Sequence, residues 1–301
     1  MNFKKPLLLC SCALLLAGCQ ADTTISGSSE KLMTIGNVSI TKGDEYNVFK
    51  EVSGTNATLA LANKMIAEKE IEVTEDMKKE AKETLDSYME IEGYEDQLKE
   101  AGYENGEAYM NDVLIPNLQS KKLVEKYFTD AKEDIIREYD PVLAVVIEIS
   151  SEDNANKALE ALKKGEDAGK VAGRYAAEEA QYTGTEQVIT TQDTALPESL
   201  RNAILDAGKD GVLDQVFTND TSTDDKIYYV ASVISTDYDK NLDKIVSALS
   251  SNQTLSKDCQ IYYLKKYEFE VHDQDIFDAF KANNPEFLVT RPDLVEDKTS
   301  E

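Results

Sequence analysis

Residues 142–149 read VLAVVIEI, eight positions of which five are β-branched and only Glu148 is charged. Such a run reads as a strand buried on both faces. The sequence on either side has the apolar period of helices. One buried strand between helical stretches cannot belong to an all-helical bundle, because its edges need partners. The fold class is therefore α+β.

Upstream, Ile35 opens a short strand, with a turn at Lys42-Gly43 and a helix carrying Tyr46 and Phe49 on one face. A second helix is expected from about Thr55 to Lys69. Thr74 is a candidate N-cap for a third, in which Met77, Ala81, Leu85 and Tyr88 recur at helical spacing. Gly93 closes that pattern, and a short helix runs from Tyr94 to Ala101 before Gly102. A longer helix is expected from Gly106 to Thr129, kinked by Pro116.

Downstream of Asp140-Pro141, the expected order is β-α-α-β-α-β-β. Val142–Ile149 is the first strand. Ala155, Ala158, Leu159 and Leu162 stripe the first helix, and Val171 and Tyr175 lie on the second. Residues 183–194 form the next strand region, and Pro197 starts a helix to about Ala207. Segments 212–217 and 227–234 supply the last two strands. From Asn241 the chain is helical again, with an aromatic-rich stretch through Tyr262, Tyr263, Tyr267 and Phe269 and a shorter helix at Ile276–Phe280.

The N-terminus has the layout of an export signal: Lys4 and Lys5, then a mostly apolar stretch to Ala17, then Gly18. That stretch is shorter than the roughly 20 residues a spanning helix needs. Leu16-Ala17-Gly18-Cys19 resembles the bacterial lipobox, which implies cleavage before Cys19 and acylation of its thiol. Cys10 and Cys12 would leave with the signal, so the mature chain would keep Cys19 and Cys259 and could form no internal disulfide. Asp22 to Lys31 has little to bury and reads as a flexible tether.

Acidic residues number 58 against 32 basic, a net charge of −26. That field repels nucleic acid and anionic lipid, so nucleic-acid binding is not expected. The acidity either serves solubility or attracts cationic unfolded segments; composition does not separate the two. With one histidine, His272, and no tryptophan, the chain lacks the residues for a histidine triad or a His/Cys zinc site. His272 lies in the charged stretch EFEVHDQD and reads as solvated. No phosphate loop, dinucleotide fingerprint or EF-hand spacing is present, and no cofactor or metal is expected.

The segment EDNANKALEALKKGEDAGKVAGRYA resembles the first helices of the parvulin-type peptidyl-prolyl isomerases. ALPESLRNAILDAGKDGVLDQVF and IYYVASVIST are similar to their later helix and closing strand. With the lipobox and flanking helices, the whole resembles the PrsA-type foldase lipoproteins, in particular the streptococcal branch that includes proteinase maturation protein A.

That resemblance implies a SurA/trigger-factor-like helical chaperone lobe, built from N- and C-terminal segments, with a parvulin-like α+β domain inserted. The implied division is a signal peptide at 1–18, a tether at 19–31, a helical region at 32–139 and the inserted domain at 140–236. A C-terminal helical region at 237–284 and a disordered tail at 285–301 complete it. The implied role is a membrane-anchored extracytoplasmic foldase of a Gram-positive-type bacterium. Its partners would be newly translocated, unfolded secreted proteins and, through the acyl chain, the bilayer. Dimerisation through the helical lobe stays open, because no heptad pattern runs long enough to argue it.

Alignment to the family motifs places its first-strand histidine at Val146, its closing-strand histidine at Tyr229 and its acid at Glu186. The pocket methionine and phenylalanine fall at Ala195 and Ser199. Both histidines and both apolar pocket residues are thus replaced, which implies weak or absent isomerase activity and a mainly chaperone role. The alternatives are a working isomerase with a substituted site and a surface lipoprotein that binds a ligand.

Overall fold

The structure is a computed structural model that describes residues 23–219 and 226–296. Cys19, the expected acylation site, lies outside the described residues. The chain forms two compact units: Lys64–Tyr262 is one, and the segments up to Asn63 and from Tyr263 onward form the other.

The discontinuous unit begins with a hairpin, β1 (Lys31–Ile35) and β2 (Val38–Thr41), paired antiparallel. Thr23–Glu30 is not the free tether expected. The Thr23 N–H donates to Asp273 at 3.0 Å, the Glu30 carbonyl accepts from the Lys42 N–H at 2.9 Å, and the Ser28 carbonyl accepts from the Gly43 N–H at 2.8 Å. Backbone hydrogen bonds of that kind fix a polar segment in which Ile25 is the one large apolar side chain.

Helix α1 (Lys42–Glu70) is one continuous 29-residue helix, where the sequence suggested two. Gly54 lies within it. A Cβ there would come within 3.2 Å of Ile276 Cγ1, so the glycine is a point of close packing that outweighs its weak helix propensity.

The continuous unit takes in the last turns of α1 and then α2 (Glu75–Met89). Thr74 caps it by accepting from the Met77 N–H at 3.2 Å, and Met77, Ala81 and Leu85 are buried. Next come α3 (Tyr94–Glu100) and α4 (Gly106–Tyr109), a π-helical turn at Met110–Leu114, then α5 (Ile115–Asp130) and α6 (Lys132–Tyr139). The expected kink at Pro116 takes the form of that π turn. Pro116 has no N–H and its ring crowds the carbonyl four residues back; widening the preceding turn relieves both.

The sheet domain follows: β3 (Val142–Ile149), α7 (Glu152–Lys163), α8 (Ala168–Tyr175), β4 (Thr183–Ile189) and α9 (Glu198–Leu205). Two-residue strands β5 (Gly211–Val212) and β6 (Phe217–Thr218) and the long β7 (Tyr228–Ser235) complete it. β3 is central, antiparallel to both β4 and β7, and β5 and β6 both pair with β7. The expected single strand at 212–217 is therefore two short strands joined by a turn.

Alternation along β3 divides the core. Val142, Ala144 and Val146 pack with Leu200 and Ile204 of α9; Ile147 and Ile149 pack with Ala155, Ala158 and Leu162 of α7. Gly184 in β4 has φ +74°, and a Cβ there would meet the Ala168 carbonyl oxygen at 2.6 Å, so α8 starts against the strand at glycine distance.

Helices α10 (Leu242–Leu249) and α11 (Gln253–Lys266) follow the sheet. Buried hydroxyls tie neighbouring elements together. The Tyr238 hydroxyl donates to the Phe128 carbonyl at 2.8 Å, and the Tyr139 hydroxyl donates to Asp258 at 2.7 Å. In the other unit, Asp273 N-caps α12 (Gln274–Asn283), accepting from the Ile276 N–H at 3.0 Å. Residues 285–296, expected to be disordered, form a 3₁₀ turn at Pro285–Phe287 and a short α13 (Asp293–Glu296), with Phe287, Leu288 and Leu294 buried. Their apolar side chains are few but Phe287, Leu288 and Leu294 point inward, which composition does not reveal. Residues 297–301 lie outside the described residues.

Candidate functional site

The site residues singled out from sequence divide between the two faces of the sheet. Val146 is opposite Ala231 in the β3–β7 ladder, and Tyr229 lies two residues along from Ala231, so both face α9. Val146 is fully buried and Tyr229 nearly so, in one apolar cluster. Glu186 is opposite Val145 in the β3–β4 ladder and hence points to the other face. There its carboxylate pairs with Lys244 of α10, both side chains half exposed. The structure brings Val146 and Tyr229 together and leaves Glu186 out.

Tyr229 opens into a shallow trough of about 380 Å³, lined also by Ala195, Leu196, Pro197, Arg201 and Asn219. Ala195 borders it and is exposed; Ser199 is exposed on α9 and does not line it. The Arg201 guanidinium donates to the Asp193 carbonyl at 3.0 Å, which fixes the loop ahead of Pro197. Leu196 is buried beneath the trough, so the exposed walls are mostly polar or small. A proline ring would find little apolar surface there.

Two residues not foreseen from sequence shape the chemistry. Glu148 lies directly opposite Tyr229 in the ladder, and Tyr182 meets the Tyr229 ring edge-on, with centroids 6.3 Å apart. Burial pushes the Tyr229 hydroxyl up to about 12, and the nearby Glu148 carboxylate and Tyr182 add to the shift. Tyr182 is raised in the same direction, first by burial and then by Asp193 and Glu148. Tyr229 is thus a neutral hydrogen-bond donor across the physiological range. The Glu148 carboxylate accepts from the Gln181 N–H at 3.1 Å, which holds it beside the tyrosines. Period-two alternation from Val146 already places Glu148 on this face.

Elsewhere, His272 is exposed and belongs to the discontinuous unit. Cys259 is buried, and burial, with Asp258 beside it, pushes its thiol up to about 12. Among the described residues no helix is long and apolar enough to cross a membrane.

The chain is an α+β protein. Over 230 residues it is 30% identical to the foldase protein PrsA of Streptococcus mutans, a match spanning 72% of this chain and 66% of that protein. The chain belongs to the PrsA-type foldase family. It thus spans just under two thirds of the length of the relative it matches. No family model matches it. Among solved structures it is similar to a peptidylprolyl isomerase, PrsA, from Bacillus cereus, at 19% identity and a TM-score of 0.44, covering 85% of this chain and 99% of that one. It is also similar to foldase protein PrsA from Streptococcus pneumoniae, at 21% identity and a TM-score of 0.35, covering 83% and 98%.

Proposed function

We propose that this protein is a lipid-anchored extracytoplasmic foldase that works mainly by holding unfolded segments of newly translocated proteins, and that its sheet domain is a parvulin-like domain without an efficient isomerase site. The observation that carries this reading is the division of the site residues between opposite faces of the sheet. Twisting an X-Pro bond crosses a barrier of roughly 18–20 kcal/mol. Catalysis needs a held proline ring and hydrogen bonds that strengthen at the twisted geometry. Val146 contributes no polar atom, Glu186 is on the wrong face, and the trough has few apolar walls. One neutral tyrosine hydroxyl remains.

Client holding requires exposed apolar surface, since such surface shields aggregation-prone segments. Helix α1 carries it: Val48 and Val52, one turn apart, are 58% and 74% exposed, with Phe49 beside them. The anchor would be the acyl chain on Cys19, which keeps the protein on the outer face of the membrane where clients emerge.

The test uses the mature full-length chain. Cis/trans exchange of a short X-Pro peptide, followed by NMR beside an active parvulin, is expected to run at the uncatalysed rate, while the same chain suppresses aggregation of a reduced secreted protein. Clear acceleration that is lost in Tyr229→Phe would overturn the holding role and make the trough a working isomerase site. A saturable small ligand with no client protection would overturn both.

A further inference from the structure

The β1–β2 hairpin presents exposed apolar side chains. Lys31–Thr41, KLMTIGNVSIT, contains no acidic residue in a protein with 58 of them. Its register makes it two-faced. Met33 pairs with Ile40 and Ile35 with Val38, so these four apolar side chains share one face, while Thr34 pairs with Ser39 on the other. That apolar face is open: Met33, Ile35 and Val38 are 47%, 68% and 67% exposed. Lys31 and Lys42 stand at its base.

The hairpin is also held beside the place where the chain departs for Cys19. Thr23 is pinned by its N–H and hydroxyl to Asp273, and its Oγ1 is 3.2 Å from the Tyr46 hydroxyl. Tyr46 is four residues into α1 from Lys42, a rise of about 6 Å, and Lys42 directly follows β2. From Thr23 back to Cys19 is four residue steps, which reach at most roughly 14 Å. An acyl chain on Cys19 therefore keeps the base of the hairpin close to the headgroups.

We infer that the hairpin lies in the bilayer interface, with Met33, Ile35, Val38 and Ile40 against the acyl boundary and Lys31 and Lys42 at the headgroups. This rests on the reading of Cys19 as the lipid anchor. The strongly acidic chain is repelled by an anionic membrane, and a face whose own residues carry no carboxylate approaches it without adding to that cost. The lipobox resemblance puts a diacylglycerol on Cys19, and an apolar face next to that anchor adds buried area at the same interface.

The absence of tryptophan from the sequence makes the test clean. The acylated full chain carrying Ile35→Trp, Val38→Trp or, as a control on exposed α1 surface, Leu61→Trp is reconstituted into phosphatidylcholine–phosphatidylglycerol vesicles with or without brominated acyl chains. Incorporation of labelled palmitate and flotation with vesicles report the anchor independently. The expected result is a blue-shifted emission and a roughly twofold loss by brominated lipid for the two hairpin positions and not for Leu61→Trp. A palmitate-labelled, floating chain whose hairpin reporters stay unquenched, or are quenched no more than Leu61→Trp, overturns the inference and leaves the anchor standing. A blue shift already present without vesicles and dependent on protein concentration assigns the face to a second copy and overturns it too. Absence of both label and flotation overturns the anchor and the hairpin placement with it.

Discussion

The Lys50 ammonium lies 3.3 Å from the Asp273 carboxylate, and both side chains are almost wholly buried. Asp275 also pairs with Lys50 from a half-exposed position. Asp273 meanwhile caps α12 and receives both donors of Thr23. One carboxylate thus joins the N-terminal segment, α1 and α12 into a single unit.

Removing either buried partner should strand the other. Asp273→Asn or Lys50→Met is expected to cost about 3 kcal/mol, because an uncompensated buried charge or a lost cap remains. Urea unfolding followed by circular dichroism checks this. A loss below about 1 kcal/mol would mean that water replaces the missing partner.

The same carboxylate sets an acid limit. Burial alone would raise its pKa, but the Thr23 hydroxyl, the Ile276 and Thr23 N–H groups and Lys50 together outweigh burial and hold Asp273 at about 2. A depressed folded value stabilises the fold above the unfolded value, and that stabilisation is lost as pH falls from about 4 toward 2. It amounts to about 2 kcal/mol. Wild type should therefore lose stability over this window more steeply than Asp273→Asn, measured as urea midpoints between pH 5 and 2.

Cys259 should be silent to thiol reagents. With its thiol held up to about 12, the thiolate fraction at pH 8 is on the order of one in ten thousand, and burial blocks access as well. In a chain with Cys19 blocked or replaced, Ellman's reagent should react at the rate of global unfolding. It should react at once in strong denaturant. Immediate reaction in buffer would show that α11 opens locally.

Much of the fold was legible where its signals are local. Val142–Ile149 is a run of β-branched residues, Thr74 precedes an apolar stripe, and Pro197 stands at the head of α9. Tertiary contact hid the rest. The continuity of α1 through Gly54 depends on Ile276 packing there, and Thr23–Glu30 reads as free until its backbone partners are known. The site followed the same rule. Spacing along β3 and β7 could place Val146 and Tyr229, but the face on which Glu186 points depends on β3–β4 register, which no spacing encodes.

The Glu186–Lys244 pair should matter little. Both side chains are about half exposed, and pairs of that kind contribute about 0.2–1 kcal/mol. Glu186→Gln is expected to leave peptide exchange unchanged and to shift the urea midpoint only slightly. A marked loss of any isomerase activity would mean that the β4 edge moves to bring this carboxylate round to the trough.

Restoring histidine tests whether the site is one substitution from activity. Val146→His would place an imidazole in a fully buried position among Ala144, Ala231 and Leu200. Burial disfavours its charged form, and an imidazole nitrogen without a partner costs on the order of 2 kcal/mol. Tyr229→His adds a second ring two residues from Ala231 on the same face, where each imidazole can hydrogen-bond the other. The single change is therefore expected to destabilise without accelerating X-Pro exchange, and the pair to recover part of that stability. Exchange should still stay near the uncatalysed rate, because Ala195 and Ser199 leave the proline ring unheld. If the double variant alone turned over X-Pro peptide, the trough would already hold proline, and the loss of the two imidazoles would be the whole difference between a holding domain and an isomerase.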